Sequence, residues 1–214
     1  GKLTRGKLSE ADRLNAEISA RDHRDRIEAH DLGLQFLPLN HSRGLPEGTG
    51  EFPGIQNAGQ LAEQLRLTTL EDYRDWLARL DGLPASVDQT IALLQEGIRR
   101  KMVWPKIVLE RIPPQLDALA NGAPTDSIFY APFKRMPDAL PEAERKTMAQ
   151  TAERLVRDRV QPAYRRLREF VVGTYIPAAP TEVGVSRWPD GERLYAHWVR
   201  HYTTTDITAD QAHQ

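Results

Sequence analysis

Apolar residues recur every three or four positions along most of this chain, the spacing of helices that bury one face. After Pro84, a residue suited to a first helical turn, one such face carries Val87, Ile91, Leu94 and Ile98. The pattern resumes after a corner at 102–105, with Pro105 opening a second helix that Pro113 and Pro114 should bend or end. We expect these two helices to pack on each other and on a third element.

Proline and glycine divide the remainder into segments, and none of them alternates like a long β-strand. The predicted order begins with a peripheral helix over 1–33, an irregular loop over 34–59 and helices over 60–121. A second irregular loop with clustered aromatic residues follows over 122–140, and then a long helix over 141–176 that is kinked at Pro162. The last segment, over 185–214, contains a turn, a short helix and the start of a truncated helix. The fold class is therefore all-α, with antiparallel helix pairs, two long irregular loops and little or no β-structure.

Several helix ends can be predicted from local signals. Ser9 is placed as an N-cap, Thr69 as the start of a helix, and Gly82 as a C-terminal stop before Pro84. Thr208 and Gln211 have the spacing of a capping box, which announces a helix barely one turn before the sequence ends at Gln214. We therefore expect residues 1–214 to be a single helical N-terminal portion of a longer protein.

Composition narrows the range of partners. The 29 basic and 30 acidic residues give a net charge of -1, so no basic excess exists to bind a phosphate backbone. The chain has no cysteine, which excludes disulfides and thiolate metal sites within it. No apolar run approaches the ~20 residues of a membrane span. We expect neither nucleic acid nor a membrane span.

The best candidate for chemistry is the pair His197 and His201. Residues four apart share a helix face, so two imidazoles could hold one metal ion. Trp198 stands where a H-E-x-x-H metallopeptidase has its general-base glutamate, and a third ligand would have to come from elsewhere. The alternative is a pair of histidines hydrogen-bonded to neighbours on a partly buried face. Asp206 could orient a substrate or cap the following helix.

Several stretches, in order from Leu37 to Gln214, resemble a large bacterial family, the domain of unknown function 885. They are Leu37–Asn40, Asp72–Leu80, Val87–Ile91, Pro105–Arg111, Phe129–Tyr130 with Pro132–Phe133, Pro162–Leu167, Pro189–Gly191 leading to Tyr195, and Thr203–Asp206. Two departures stand out. Lys101 occupies a position where the resemblance implies glycine, and Ala212 one where it implies isoleucine.

The resemblance implies a longer, mostly α-helical protein similar to zinc metallopeptidases. A H-E-x-x-x-G-H-like segment would lie beyond Gln214, so neither its histidines nor its glutamate can be assigned here. This chain would contribute helices to the wall of a substrate cleft, with Tyr195, Thr204 and Asp206 as candidate lining residues. The implied cofactor is zinc in the full-length protein and none in this chain. The implied partners are the missing C-terminal portion and a peptide substrate.

The leading hypothesis is thus a part of a zinc-dependent peptidase that is not catalytic by itself. The alternative is a self-contained helical binding or scaffold module without enzymatic activity, with the two loops at the rim of its groove. Two locations stay open: the protein is either exported or periplasmic, or it is cytoplasmic. The substrate, the reaction, the metal and the oligomeric state do not follow from the sequence.

Overall fold

The structure, a computed structural model, describes residues 9–39, 58, 62 and 64–214. Its α-helices in chain order are α1 (Glu10–Asp31), α2 (Leu70–Arg99), α3 (Lys106–Leu109), α4 (Pro113–Ala120), α5 (Glu142–Leu155), α6 (Gln161–Phe170), α7 (Gly191–Thr203) and α8 (Ala209–Ala212). No strand occurs in these residues, and the predicted all-α class is confirmed. The predicted loop over 34–59 lies mostly outside them. None of the described helices combines the length and apolarity that a membrane crossing requires.

The predicted N-caps are confirmed. The Ser9 hydroxyl accepts the amide of Asp12 at 3.1 Å at the start of α1. Capping boxes begin α2, between Thr69 and Asp72, and α8, between Thr208 and Gln211. Each box satisfies two backbone donors that a helix start leaves open.

The predicted break at Gly82 and Pro84 is wrong, because α2 runs through both as one helix of 30 residues. Leu80, Val87 and Leu94 lie seven residues apart and are fully buried, so the apolar face stays in phase across the proline. A proline inside a helix removes one hydrogen bond and clashes with the preceding turn. Burial on both sides of Pro84 offsets that cost.

The end of α2 is held by a Schellman motif. The amide of Met102 donates to the carbonyl of Gly97 at 2.8 Å, and that of Lys101 to Ile98 at 3.1 Å. Lys101 has the left-handed φ of 59°, a conformation in which glycine is least strained. The glycine that the family resemblance implies at this position therefore has a physical reason.

The second helix predicted after the corner is instead two short ones, α3 and α4. Pro113 and Pro114 begin α4 rather than bending a longer helix, since a proline ring fits a first turn. Asn121 caps its end and Gly122 has a positive φ of 91°. Of the predicted packing of the two central helices, the contact with a third element is confirmed, whereas their contact with each other is minor. With an extended corner and α3 between them, α2 and α4 each pack chiefly against the long helix.

The long helix is confirmed over 142–175, but its predicted kink at Pro162 takes another form. Two π-helical turns, Val156–Val160 and Val171–Tyr175, interrupt the α-helical geometry. The first π turn ends two residues before Pro162, and the second ends two residues before Pro177. A π turn takes in an extra residue, and this widening makes room for the proline ring.

Polar contacts fix how the helices of this core run. Arg159 pairs with Asp81 at 3.3 Å and Arg166 with Asp88 at 2.9 Å, so α2 and the long helix are parallel. Arg168 contacts Asp117 on α4, whereas Gln161, seven residues earlier, donates to the carbonyl of Gly122 after α4. The helices α4 and α6 are therefore antiparallel.

The predicted irregular loop over 122–140 contains 3₁₀ helices at Pro124–Asp126 and Ile128–Arg135. Its aromatic rings hold it on the core. Phe129 is buried and stacks on Tyr164 with ring centroids 5.6 Å apart. The indole of Trp76 donates to the carbonyl of Phe129 at 3.0 Å. The loop is thus part of the core packing, because its aromatic side chains bury a large apolar surface.

The described residues fall into two compact units. One contains 9–35 and 184–214, and the other contains 36–39, 58, 62 and 64–183. The second unit holds the large apolar core around α2, α4 and the long helix. The first unit is built from α1, α7 and α8, and its buried residues include Ala29, Leu34 and Leu194.

Two glycines of α2 should respond in opposite ways to alanine. A Cβ on Gly97 would come within 2.7 Å of the Met102 carbonyl and 2.8 Å of the Phe36 carbonyl, whereas one on Gly82 meets nothing within 4 Å. We expect Gly97→Ala to destabilise the protein by about 2 kcal/mol or more through overpacking. Gly82→Ala should stabilise it by about 0.5–1 kcal/mol through helix propensity. Urea unfolding of both variants measures this, and equal shifts of the same sign would contradict the packing described for Gly97.

Replacing Lys101 by glycine should stabilise the protein. A left-handed conformation costs an L-residue about 1–2 kcal/mol, part of which glycine loses again through its greater entropy in the unfolded chain. The expected net gain for Lys101→Gly is about 0.5–1 kcal/mol in chemical denaturation. Lys101→Ala is the control and should bring no such gain, since alanine meets the same strain.

Candidate functional site

The predicted histidine pair lies on α7, and local backbone geometry fixes where this helix begins. Asp190 takes a left-handed φ of 56°, and the amide of Gly191 donates to the carbonyl of Trp188 at 2.9 Å. A Cβ on Gly191 would overlap the carbonyl oxygen of Val185. The predicted turn is confirmed, and glycine at 191 is required by space.

His197 is buried, with only 2% of its surface exposed. Its Nδ1 lies 3.0 Å from Oε2 of Glu28 on α1. Arg200, one turn further along α7, donates from Nη2 to both carboxylate oxygens of Glu28, at 2.7 and 2.9 Å. One partly buried carboxylate thus joins two side chains of the facing helix, in charge-assisted contacts that satisfy both of its oxygens.

Glu28 experiences two opposing influences on its pKa. Burial raises the pKa of this carboxyl, because a charged form is less stable away from water. The hydrogen bonds and charges of His197 and Arg200 together outweigh burial, and the pKa of Glu28 lies below its usual value. Glu28 is therefore held as the carboxylate at neutral pH.

His201 forms a second acid–histidine pair. Its Nδ1 lies 3.6 Å from Oδ2 of Asp25, an ion pair when the imidazole is protonated. The rings of His197 and His201 are stacked with centroids 6.1 Å apart. The two Nδ1 atoms thus approach two different carboxylates of α1, which agrees with the alternative of histidines bound to neighbours. Metal binding by this pair stays a prediction. Among the described residues, no group of three or more His, Asp or Glu side chains is arranged to hold a metal ion.

Arg21 secures the C-terminal end of α7. It donates to the carbonyl of Thr204 at 2.8 Å and to that of Arg200 at 3.2 Å. A cation at this end also interacts favourably with the helix dipole. Because Arg21 meets residue 204 and Glu28 meets residue 197, α1 and α7 run antiparallel. We call Arg21, Asp25, Glu28, His197, Arg200 and His201 the α1–α7 polar cluster.

The three predicted cleft residues differ in their contacts. The Tyr195 hydroxyl lies 2.8 Å from Nε2 of His213, and the two rings stack. Thr204 takes a left-handed φ of 57° at the end of α7 and uses its carbonyl to accept Arg21. Asp206 is exposed, and Thr208 rather than Asp206 caps α8. Their assignment to a substrate cleft stays a prediction.

Sequence reasoning missed the acidic half of the cluster, because α1 reads as a highly charged peripheral helix. A usable signal was present in its spacing. Leu14, Ile18, Arg21, Asp25, Glu28 and Leu32 recur at intervals of four and three, the interval of a helix contact face. Polar residues in the middle of such a face indicate partners on another helix.

Comparisons with known proteins bear on family and fold. The family model described as bacterial protein of unknown function, DUF885, matches residues 1–214. A similar solved structure is described as "the putative lipoprotein from Colwellia psychrerythraea", with a TM-score of 0.64 and 18% sequence identity. The match covers 75% of this chain and 27% of that one, so this chain spans about a quarter of its length. No curated protein matches.

Removing the charge of Glu28 should weaken the first unit. We expect Glu28→Gln to lower the free energy of unfolding by about 1 kcal/mol at pH 7, since hydrogen bonds to charged groups contribute more than neutral ones and partial exposure of the carboxylate reduces that contribution. Asp22→Asn, at an exposed pair with Arg26, is the matched control and should cost about 0.5 kcal/mol or less.

The effect of Glu28→Gln should also depend on pH in one direction. A carboxyl whose pKa is lower in the folded state contributes stability above its unfolded pKa of about 4.5. That contribution is lost as the pH falls through the lower folded pKa. The difference between wild type and Glu28→Gln, measured by urea unfolding from pH 7 to pH 3, should therefore shrink towards acid. A difference that grows would contradict the lowered pKa.

Proposed function

The chain belongs to the bacterial DUF885 family, and from this we propose that it is the helical, non-catalytic N-terminal part of a zinc-dependent peptidase. Its helices would form part of the wall of the substrate cleft in the longer parent protein. Zinc there would polarise a peptide carbonyl and activate water, with ligands supplied by a segment beyond residue 214.

The α1–α7 polar cluster is the observation that carries the non-catalytic part of the proposal. Its most buried imidazole, His197, is bound to Glu28, and Glu28 is bound again by Arg200. A catalytic or metal-bound histidine can also pair Nδ1 with a carboxylate, but its Nε2 must then be open to a substrate or a metal, whereas His197 is only 2% exposed. In this cluster the acids and bases face each other across two packed helices, an arrangement that favours a structural role.

The small share of the similar solved structure that this chain covers supports the proposal that the chain is part of a longer protein. It shares a fold with a protein of which it covers 27%, so most of a protein of that size would lie outside these residues. A cleft with a metal at its floor needs walls from several elements. Helices without ligands of their own are suited to be such walls.

The test compares the parent protein with residues 1–214 on a mixture of unstructured peptides. We expect the parent to hydrolyse them with zinc, to lose this activity with a chelator and to regain it when zinc is restored. The 214-residue chain should be inactive under the same conditions. Peptide hydrolysis by the 214-residue chain, or a zinc-loaded parent that cleaves no peptide, would each contradict the proposal.

A variant separates the structural role of the histidines from metal binding. His197→Gln in the parent should lower the unfolding temperature and leave the zinc content unchanged, because the buried imidazole that contacts Glu28 is lost. Zinc per protein is read by elemental analysis. Loss of one zinc in His197→Gln and His201→Gln alike would mean that this pair ligates the metal, against the proposal.

The self-contained binding module predicts different solution behaviour. A part separated from its remainder exposes apolar surface, so the 214-residue chain should bind a hydrophobic dye and self-associate in sedimentation. A monodisperse chain without dye binding would favour the binding module.

A further inference from the structure

The contact face of α1 is polar in its middle and apolar at its start and its end. Its residues recur at intervals of four and three: Leu14, Ile18, Arg21, Asp25, Glu28 and Leu32. The stretch from Arg21 onward contacts α7 or is buried. Leu14 and Ile18, which continue the same face, are 57% and 58% exposed. We call these two residues with their flanks, 10–18, the α1 overhang.

The overhang extends beyond the end of α7. Arg21 already contacts the last carbonyls of that helix, at Arg200 and Thr204. The eleven residues of α1 before Arg21 therefore extend about 16 Å further, at 1.5 Å per residue. The chain after α7 does not follow them. His213 stacks on Tyr195, so that segment turns back along α7.

Two features distinguish the overhang from an ordinary exposed side chain. Ile27 is equally exposed, at 62%, but lies nine residues from Ile18, about half a turn round the helix. Leu14 and Ile18 instead continue an existing helix–helix interface. Leu14 also lines a surface recess of about 390 Å³ together with Glu10, Arg13 and Glu17.

Charge indicates what would cover this face. Residues 9–20 contain three acids, Glu10, Asp12 and Glu17, and one base, Arg13. Two copies of the overhang would bring like charges together, which disfavours a second copy as the occupant. A helix with apolar residues at three- and four-residue spacing and lysine or arginine beside them is complementary in both respects.

We infer that the α1 overhang is the docking surface for a basic amphipathic helix from the remainder of the parent protein. The inference rests on the proposal that the chain is part of a longer protein. The inference names the surface of this chain that contacts the remainder of the parent protein, and it specifies that the contacting helix is basic and amphipathic. Burying Leu14 and Ile18 there would extend the α1–α7 interface along one continuous face of α1.

Residues 1–214 contain no cysteine, so an introduced thiol can report accessibility. Ile18→Cys and the control Ile27→Cys are each placed in the 214-residue chain and in the parent, and their maleimide labelling rates are measured above the background of the unsubstituted parent. We expect the rate for Ile18→Cys to fall about tenfold or more in the parent, as for a site that reacts only on local opening. The rate for Ile27→Cys should change less than about twofold. Equal labelling of Ile18→Cys in the chain and the parent would overturn the inference.

A charge reversal tests the basic character of the occupant. Glu17→Lys, added to Ile18→Cys in the parent, should restore most of the labelling rate of the thiol at position 18. Asp31→Lys is the control with the same change in charge at the other end of α1, and it should leave that thiol protected. If the thiol at position 18 stays protected in the Glu17→Lys variant, the covering helix is not basic, and the inferred charge of the occupant is overturned.

The two proposals fail in different measurements. Labelling does not depend on peptide hydrolysis, so a parent that protects the thiol at position 18 but cleaves no peptide would contradict the peptidase function alone. A parent that cleaves peptides but leaves this thiol exposed would contradict the docking surface alone.

Discussion

The packing of the second unit depends on burying one apolar face of the long helix over 142–175. Apart from Gln161 and Ala163, its buried residues are Met148, Ala152, Val156, Val160, Tyr164, Leu167, Val171 and Tyr175. Most steps between them are four residues, whereas an α-helix repeats every 3.6, so each step of four turns the face by about 40°. A continuous α-helix would carry this face away from its neighbours.

The two π turns correct this drift. Each takes in one extra residue where the four-residue spacing is sustained, at Val156–Val160 and at Val171–Tyr175. Such local unwinding keeps a buried face on one side, as insertions do in coiled coils. The prolines that follow are tolerated for the same reason, since a widened turn has fewer backbone contacts for the ring to disturb. The parallel contacts with α2 and the antiparallel contacts with α4 both depend on this alignment.

The sequence predicted features whose partners lie within a few residues. The Ser9 cap, the helix start at Thr69 and the Thr208 box were predicted correctly, because each depends on a donor and an acceptor three residues apart. Gly82 and Pro84 carry the same kind of local signal, and there it failed, because burial of Leu80 and Val87 outweighs the propensity of the residues between them. Glu28 and His197 are 169 residues apart. No spacing rule pairs them, although the interval pattern of α1 marks Glu28 as a contact position.

The division of the α1 face has a physical logic. The ion pair of Glu28 and Arg200 is partly buried, and such a pair contributes little net stability, although removing one partner leaves a charge without its counterpart. The α1–α7 polar cluster therefore fixes direction and register, because a shift of one turn would separate Glu28 from His197 and Arg21 from the end of α7. An apolar contact specifies register poorly and contributes more per area. Polar residues where α1 meets α7, and apolar ones beyond, thus suit the proposed docking, because the polar contacts align α1 with α7 and leave Leu14 and Ile18 exposed for a covering helix.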